Sequence, residues 1–214
     1  LDEYDVPIQL VDLHQETEWP ETEIELANGD KWMVGMPKTV LGCPCTISVA
    51  VAKTHDVLYT TLALKNMIMG TVHNDHRVKM HGYMTHGERE RPREMQVLNR
   101  NLIRLAEFLT PDISVIDGVQ GLQGNGPGGK DAVDFGVAFA GVDVWAVDSI
   151  CTKAMGFDPL NVGVGVYAEQ RGLGVVDPAK IEVRGANVED VTISFTPHER
   201  YHHQLEWREA AVAF

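Results

Sequence analysis

The feature that most constrains the fold is the junction at Lys53. It joins a run of small and β-branched residues to a long, almost wholly apolar segment. Upstream, Cys45-Thr46-Ile47-Ser48-Val49-Ala50-Val51-Ala52 suits a strand covered on both faces. Downstream, from Asp56 to Met69, Val57, Leu58, Leu62, Ala63, Leu64, Met67, Ile68 and Met69 mark a buried helix closed by Gly70. Strand, tight turn and helix in succession place Lys53 and His55 at the carboxyl end of a central strand. In open α/β sheets this is where ligands sit, beside helix amino termini that favour anions. Lys65 and Asn66 lie inside the apolar helix, where an unpartnered ammonium would cost several kcal/mol, so cationic groups carried inward imply an anionic partner or a catalytic task.

The rest of the chain continues the alternation. Pro7 to Leu13 and Lys31 to Gly35 read as short strands separated by an acidic, turn-rich connection from Glu16 to Asp30. His73 to Arg93 reads as a polar loop. Met95, Leu98, Leu102, Leu105 and Leu109 recur at helical spacing until Thr110-Pro111. The strand Ile113 to Ile116 follows, capped by Asp117, then a glycine-rich loop from Gly118 to Gly129 and a buried strand from Phe135 to Ala140. Asp143 is placed as the amino-terminal cap of a helix from Val144 to Met155, and Asp158-Pro159 opens another toward Arg171. Ile181 to Arg184 and Val191 to Phe195 alternate like half-exposed strands. The expectation is one α/β domain over residues 1–196, with a mainly parallel sheet and helices on both faces, and a peripheral tail over 197–214.

Composition narrows the partners. The net charge of −13, without a Lys/Arg run, argues against nucleic acid and against an anionic membrane surface. The sequence contains no bilayer-length apolar stretch and Leu1-Asp2-Glu3-Tyr4 does not resemble a signal peptide, so a soluble, cytoplasmic protein is expected. Cys43, Cys45 and Cys151 form neither a disulfide framework nor the thiolate quartet of an iron–sulfur cluster, which fits a reduced compartment. Cys43-Pro44-Cys45, entering a buried strand, reads as packing.

Each candidate site residue has two readings. Lys53 is a catalytic or anion-binding amine, or a side chain snorkelling at the sheet edge. His55 is a general base, its proton affinity lowered by a neighbouring lysine, or a helix-cap histidine. Lys65 either meets a ligand oxyanion or pairs with Asp148 in a buried salt bridge, and Asn66 needs several hydrogen bonds. Asp117 is a catalytic or metal-binding carboxylate at a strand end, or a turn former. Gly124, Asn125 and Gly126 could cradle a phosphate or carboxylate with backbone N–H groups, although Gly121-Leu122-Gln123-Gly124-Asn125-Gly126 fits neither nucleotide-binding fingerprint. His73, Asp75, His76, His81 and His86 are metal-ligand types crowded into one loop, to be weighed against a solvated lid. Of these, His81 beside Gly82 is best placed to approach a ligand.

One ordered series of motifs carries a family resemblance: Lys53-Thr54-His55, Ala63-Leu64-Lys65-Asn66, His81-Gly82, Asp117-Gly118, Gly121, Gly124-Asn125-Gly126-Pro127, Ala146-Val147-Asp148, Met155-Gly156-Phe157-Asp158-Pro159 and Gly172-Leu173-Gly174. From about Tyr4 to about Gly185 the chain resembles a family built on a domain of unknown function. Its members are often described as iron–sulfur-cluster-binding proteins because many carry a ferredoxin module. The resemblance implies redox chemistry, here through a partner, because the ferredoxin cysteines are missing. The family's opening strand–helix region with a lysine–proline–asparagine motif is also missing, which implies a fragment or one subunit of a split domain. Such a chain would expose an edge strand and apolar surface that call for a protein partner or a second copy.

Three functions are therefore expected to compete. The first is a small-molecule enzyme using Lys53, His55, Lys65 and Asp117 on an anionic substrate held by Asn66, His81, Gly124, Asn125, Gly126 and Asp148. The second is a non-catalytic binding or assembly subunit, and the third a metal-dependent hydrolase built on the histidine loop. No resident cofactor is identified.

Overall fold

The computed structural model describes residues 7–89 and 91–209. Its centre is a four-stranded sheet of β3 (Ile47–Thr54), β4 (Thr60–Thr61), β5 (Ile113–Leu122) and β6 (Ala132–Gly141) in the order β4-β3-β5-β6. Only β3 and β5 run parallel; β4 pairs with β3, and β6 with β5, antiparallel. The sheet is thus mixed rather than mainly parallel. The reason is local: the chain turns straight back after His55 to form β4, and the glycine-rich segment continues β5 and then reverses into β6. A two-stranded hairpin of β1 (Glu21–Glu25) and β2 (Lys31–Gly35) lies apart from this sheet. Buried Asn101 fastens it, accepting from the Glu25 N–H and donating to the Glu25 and Met80 carbonyls.

The helices are α1 (Lys38–Leu41), α2 (Ala63–Thr71), α3 (Arg77–Met80), α4 (Arg91–Leu109), α5 (Val144–Ala154), α6 (Gly163–Gln170) and α7 (Val188–Val191). The apolar periodicity of α4 is realised: Met95, Leu98, Leu102, Leu105 and Leu109 are all buried. Asp143 caps α5 by accepting from the Trp145 and Ala146 N–H groups. Asp158 caps a single 3-10 turn, Pro159–Asn161, ahead of α6.

Helices α2 and α5 pack on one face of the sheet, with α4 behind α2 and α6 against α4 and α5. On β3 that face is Ser48, Ala50, Ala52 and Thr54, all buried, whereas Ile47, Val49 and Val51 on the opposite face are exposed. The expectation of helices on both faces fails here. Among the described residues nothing covers the second face.

Other boundaries shift for identifiable reasons. α2 starts at Ala63, not Asp56, because residues 55–62 form the β3–β4 reversal. Pro7 to Asp12 has no regular structure, β1 lies within the expected 16–30 connection, and the expected 73–93 loop contains α3, two 3-10 turns and the start of α4. Residues 181–184 and 191–195 are not sheet strands. Ile193 and Phe195 instead donate to the Ala154 and Met155 carbonyls at the end of α5. Cys43 and Cys45 are exposed ahead of β3 rather than packed within it, and Cys151 is the buried thiol. The tail is not peripheral: Gln204 and Trp207 are buried, Trp207 donates to the Asn161 carbonyl, and Tyr167 donates to the Trp207 carbonyl.

Candidate functional site

The β3–β4 reversal is wound around the His55 ring. His55 N–H donates to the Tyr59 carbonyl at 2.9 Å, and Tyr59 is held at φ 65°, a left-handed conformation that a bulky residue adopts only under constraint. The ring supplies that constraint. Its Nδ1 accepts from the Val57 and Leu58 N–H groups at 2.9 and 3.2 Å. Nδ1 therefore uses its lone pair on the backbone, and in the neutral imidazole the proton resides on Nε2. His55 is 2 % exposed. Burial, reinforced by the nearby Lys65 charge, pushes its proton affinity well below the usual histidine range.

Lys65, in the first turn of α2, places Nζ 2.7 Å from His55 Nε2. With Nε2–H as donor, the acceptor must be the lone pair of an unprotonated amine. Burial independently lowers Lys65 from 10.5 to about 8, against the opposing field of Asp56 and with help from Lys53, Arg89 and Arg77. Hydrogen-bond geometry and desolvation therefore act in the same direction. The buried Lys65–Asp148 salt bridge is not formed. Asp148, reaching over from α5, accepts from the Ala63 and Leu64 N–H groups at 2.9 and 3.1 Å, and so caps the amino terminus of α2 in place of a local side chain. Burial pushes Asp148 up to about 7, whereas the two N–H bonds and the helix terminus favour its charged form.

A second ring of charge surrounds the pair. Glu94, fully buried at the start of α4, receives the Arg89 guanidinium and lies 2.7 Å from His81 Nδ1, while Arg89 also reaches Asp56 at 3.5 Å. Burial raises Glu94's proton affinity, but the His81 and Arg89 bonds together outweigh it and leave the group below the ordinary carboxylate value. His81 is lowered by burial despite Glu94. One Glu94 oxygen, Oε2, has no hydrogen-bond partner. His198 contributes to the field that depresses His55, and Gln204 donates to the His55 carbonyl at 2.5 Å. Asp56, Arg89, Glu94, His198 and Gln204 were not singled out from sequence. Glu94 was within reach: it sits one turn before Leu98 on the buried stripe of α4.

The remaining predicted residues do not join this cluster. Lys53 lies on the open sheet face with Val49 and Val51, opposite Thr54. Asp117 is not at a strand end. It lies within β5, opposite Val51 on the same open face, and accepts from its own Val119 N–H. Asn66 donates to Ser48 Oγ and the Val49 carbonyl near the start of β3. The glycine segment is filled by protein. Gly124 N–H donates to Thr196, Gly126 N–H to Gly124, and Asn125 is bonded in both directions to Glu199. A Cβ at Gly126 would meet the Thr54 carbonyl oxygen at 2.2 Å. The N–H groups of Gly124 and Gly126 are thus not left to cradle an anion.

The histidines of the 73–86 region separate in the same way. His76 Nδ1 accepts from the Gly35 N–H, His73 stacks edge-on against Trp19, and His81 turns to Glu94. Among the described residues no group of three His, Cys, Asp or Glu side chains is placed to hold a metal ion.

Two openings adjoin the cluster. A void of about 30 Å³, room for a water, is lined by Lys65, Asp148, Thr60 and Thr152. An open groove of about 580 Å³, lined by Gly82, Tyr83, Met84 and Arg89, reaches its far side. A further cavity, about 640 Å³ between β6, α5 and residues 180–191, contains none of the clustered groups.

A family model described as "Domain of unknown function (DUF362)" matches residues 2–153. Over 138 residues the chain is 27% identical to the thylakoid-associated protein sll1697 of Synechocystis sp. (strain ATCC 27184 / PCC 6803 / Kazusa). That alignment covers 64% of this chain and 40% of the relative, so the chain spans less than half the relative's length. No solved structure matches. No helix among the described residues is long and apolar enough to cross a membrane.

Proposed function

Because the chain belongs to the DUF362 family, whose description assigns no reaction, we propose its activity from the site alone: an enzyme that moves a proton on a small anionic molecule, with Lys65, its affinity lowered by burial to about 8, as the base and His55 as the group that positions the amine. The observation that carries this reading is the 2.7 Å contact between Lys65 Nζ and an imidazole whose other nitrogen is locked by two backbone N–H groups. A base whose affinity lies near the working pH is the kind that general catalysis uses, and burial with a fixed neighbour is how proteins produce one from lysine. Among the described residues Lys65 has no carboxylate within ion-pair distance, whereas Asp56 lies 3.3 Å from His55 Nδ1 and also reaches Arg89, and Glu94 engages Arg89 and His81. An incoming carboxylate or phosphate would therefore meet Lys65 and the edge of the Arg89 groove.

The test is isotope exchange. The protein is incubated in deuterated buffer with a panel of small carboxylates and phosphate esters, and deuterium entering carbon–hydrogen positions is followed by proton NMR. Exchange with at least one compound that is abolished in Lys65→Met supports the reading. Equal exchange in the variant contradicts it.

Any redox link would draw its electrons from outside these 214 residues, whose three cysteines do not make up the thiolate quartet of a cluster. The name of the Synechocystis relative associates that protein with thylakoids. For this chain we keep a place in the aqueous phase, on its net charge of −13. A second reading, an assembly subunit, is favoured by the uncovered sheet face.

A further inference from the structure

The sheet carries its helices on one side only, and its other side is apolar. Val49 is 65 % exposed, Ile47 55 % and Val51 40 %. Beside them on β5 and β6, paired in register, stand Val115, Ala138 and Ala140. A parallel strand pair is ordinarily covered on both faces, because crossover helices pack above and below it. Of the charged residues on this face, Asp134 is held by Gln120, and the other two, Lys53 and Asp117, flank the apolar strip and are of opposite sign. Lys53 lies at its β3 end, with no side-chain partner among the described residues. Asp117 sits opposite Val51 and is bonded only to a nearby backbone N–H.

We propose that this face is the contact surface between two copies of the chain, packed sheet on sheet across a twofold axis. Three observations select a second copy. A twofold axis running between Lys53 and Asp117 sets each against the other's counterpart, so the face is complementary to itself in charge. The outward residues toward the end of β6 are small, Gly136, Ala138 and Ala140 in succession, which lets a second sheet approach to the spacing of about 10 Å seen in aligned sandwiches. Three strands of eight to ten residues offer a corrugated face of the order of the 800 Å² per partner typical of stable complexes. Lys53 thereby becomes a register-setting residue of an interface rather than a catalytic one. Its pair with Asp117 lies at the rim of the apolar strip and gives orientation more than affinity.

The experiment is light scattering coupled to gel filtration on the 214-residue chain, with circular dichroism on every variant. A dimer is expected. Val49→Glu should convert it to a monomer with unchanged helical signal. Lys53→Asp and Asp117→Lys should each weaken the dimer by about tenfold, and the double charge swap should restore it to within about threefold of the parent. If Val49→Glu fails to fold, the charge-swap cycle decides alone. A monomeric parent, a dimer indifferent to these changes, or a monomer that forms a complex only with a different polypeptide would overturn the proposal.

Discussion

Replacing Lys65 by methionine keeps the aliphatic stem and removes the amine, and its effect on stability must depend on pH in a defined direction. In the folded chain Lys65 is lowered from 10.5 to about 8. Between these two values the unfolded chain binds a proton that the folded chain does not, so wild-type stability rises with pH across that window. The displacement amounts to roughly 3 kcal/mol of destabilisation at pH 7 and only about 1.5 kcal/mol at pH 9.5. The methionine variant escapes this cost but leaves the His55 Nε2–H buried without an acceptor, a loss of about 1–3 kcal/mol that does not vary over the same range. At pH 7 the two proteins should therefore be of similar stability, or the variant slightly more stable. The wild type should gain about 2 kcal/mol relative to the variant on going to pH 9.5. Urea unfolding followed by tryptophan fluorescence at both pH values measures the difference. A gap that stays constant within about 0.5 kcal/mol would show that Lys65 is protonated in the fold like any surface lysine, and the reasoning from the locked imidazole would be refuted.

Three further outcomes follow from the same geometry. His55 has a folded-state proton affinity depressed by burial, so its contribution is present above the ordinary histidine value of 6.5 and lost as pH falls below it; His55→Asn, whose amide oxygen can replace Nδ1 toward Val57 and Leu58, should flatten that acid limb in pH-dependent melts. Trp207→Ala should cost about 3–5 kcal/mol in urea unfolding, because the ring packs against Gly163 and Tyr167; a change below about 1 kcal/mol would return the tail to the periphery. Gly126→Ala, whose Cβ would stand 2.2 Å from the Thr54 carbonyl oxygen, should lower the melting temperature by several degrees, and a neutral result would show that the segment is not seated against β3.

What the sequence disclosed, and what it concealed, divides along the range of the interactions. The core stripe of α4, the cap at Asp143, the β2 strand and the inward-carried His55 and Lys65 could all be read because each signal lies within a few residues. The cap of α2 could not, since it comes from Asp148, 85 residues away from Ala63. His198 and Gln204 reach His55 from a tail without apolar periodicity, so nothing local marked them. The open face was concealed for a different reason. Isoleucine and valine at alternate positions of β3 signal a strand equally well whether a helix or a second sheet covers them, and strand periodicity does not say which covering element the chain supplies. The same alternation could have separated Lys53 from Thr54: neighbours in a strand point to opposite faces, so Lys53 belongs with Val49 and Val51.

The proposed chemistry needs one ionisation state of the Lys65 amine and one tautomer of the His55 ring, and nitrogen-15 NMR of the lysine- and histidine-labelled chain reads both. The expected result is a Lys65 titration centred near 8, together with a His55 ring that carries its proton on Nε2, leaves Nδ1 bare and does not titrate in the ordinary histidine range. A Lys65 titration at its usual 10.5, or a His55 protonated at Nδ1, would contradict it.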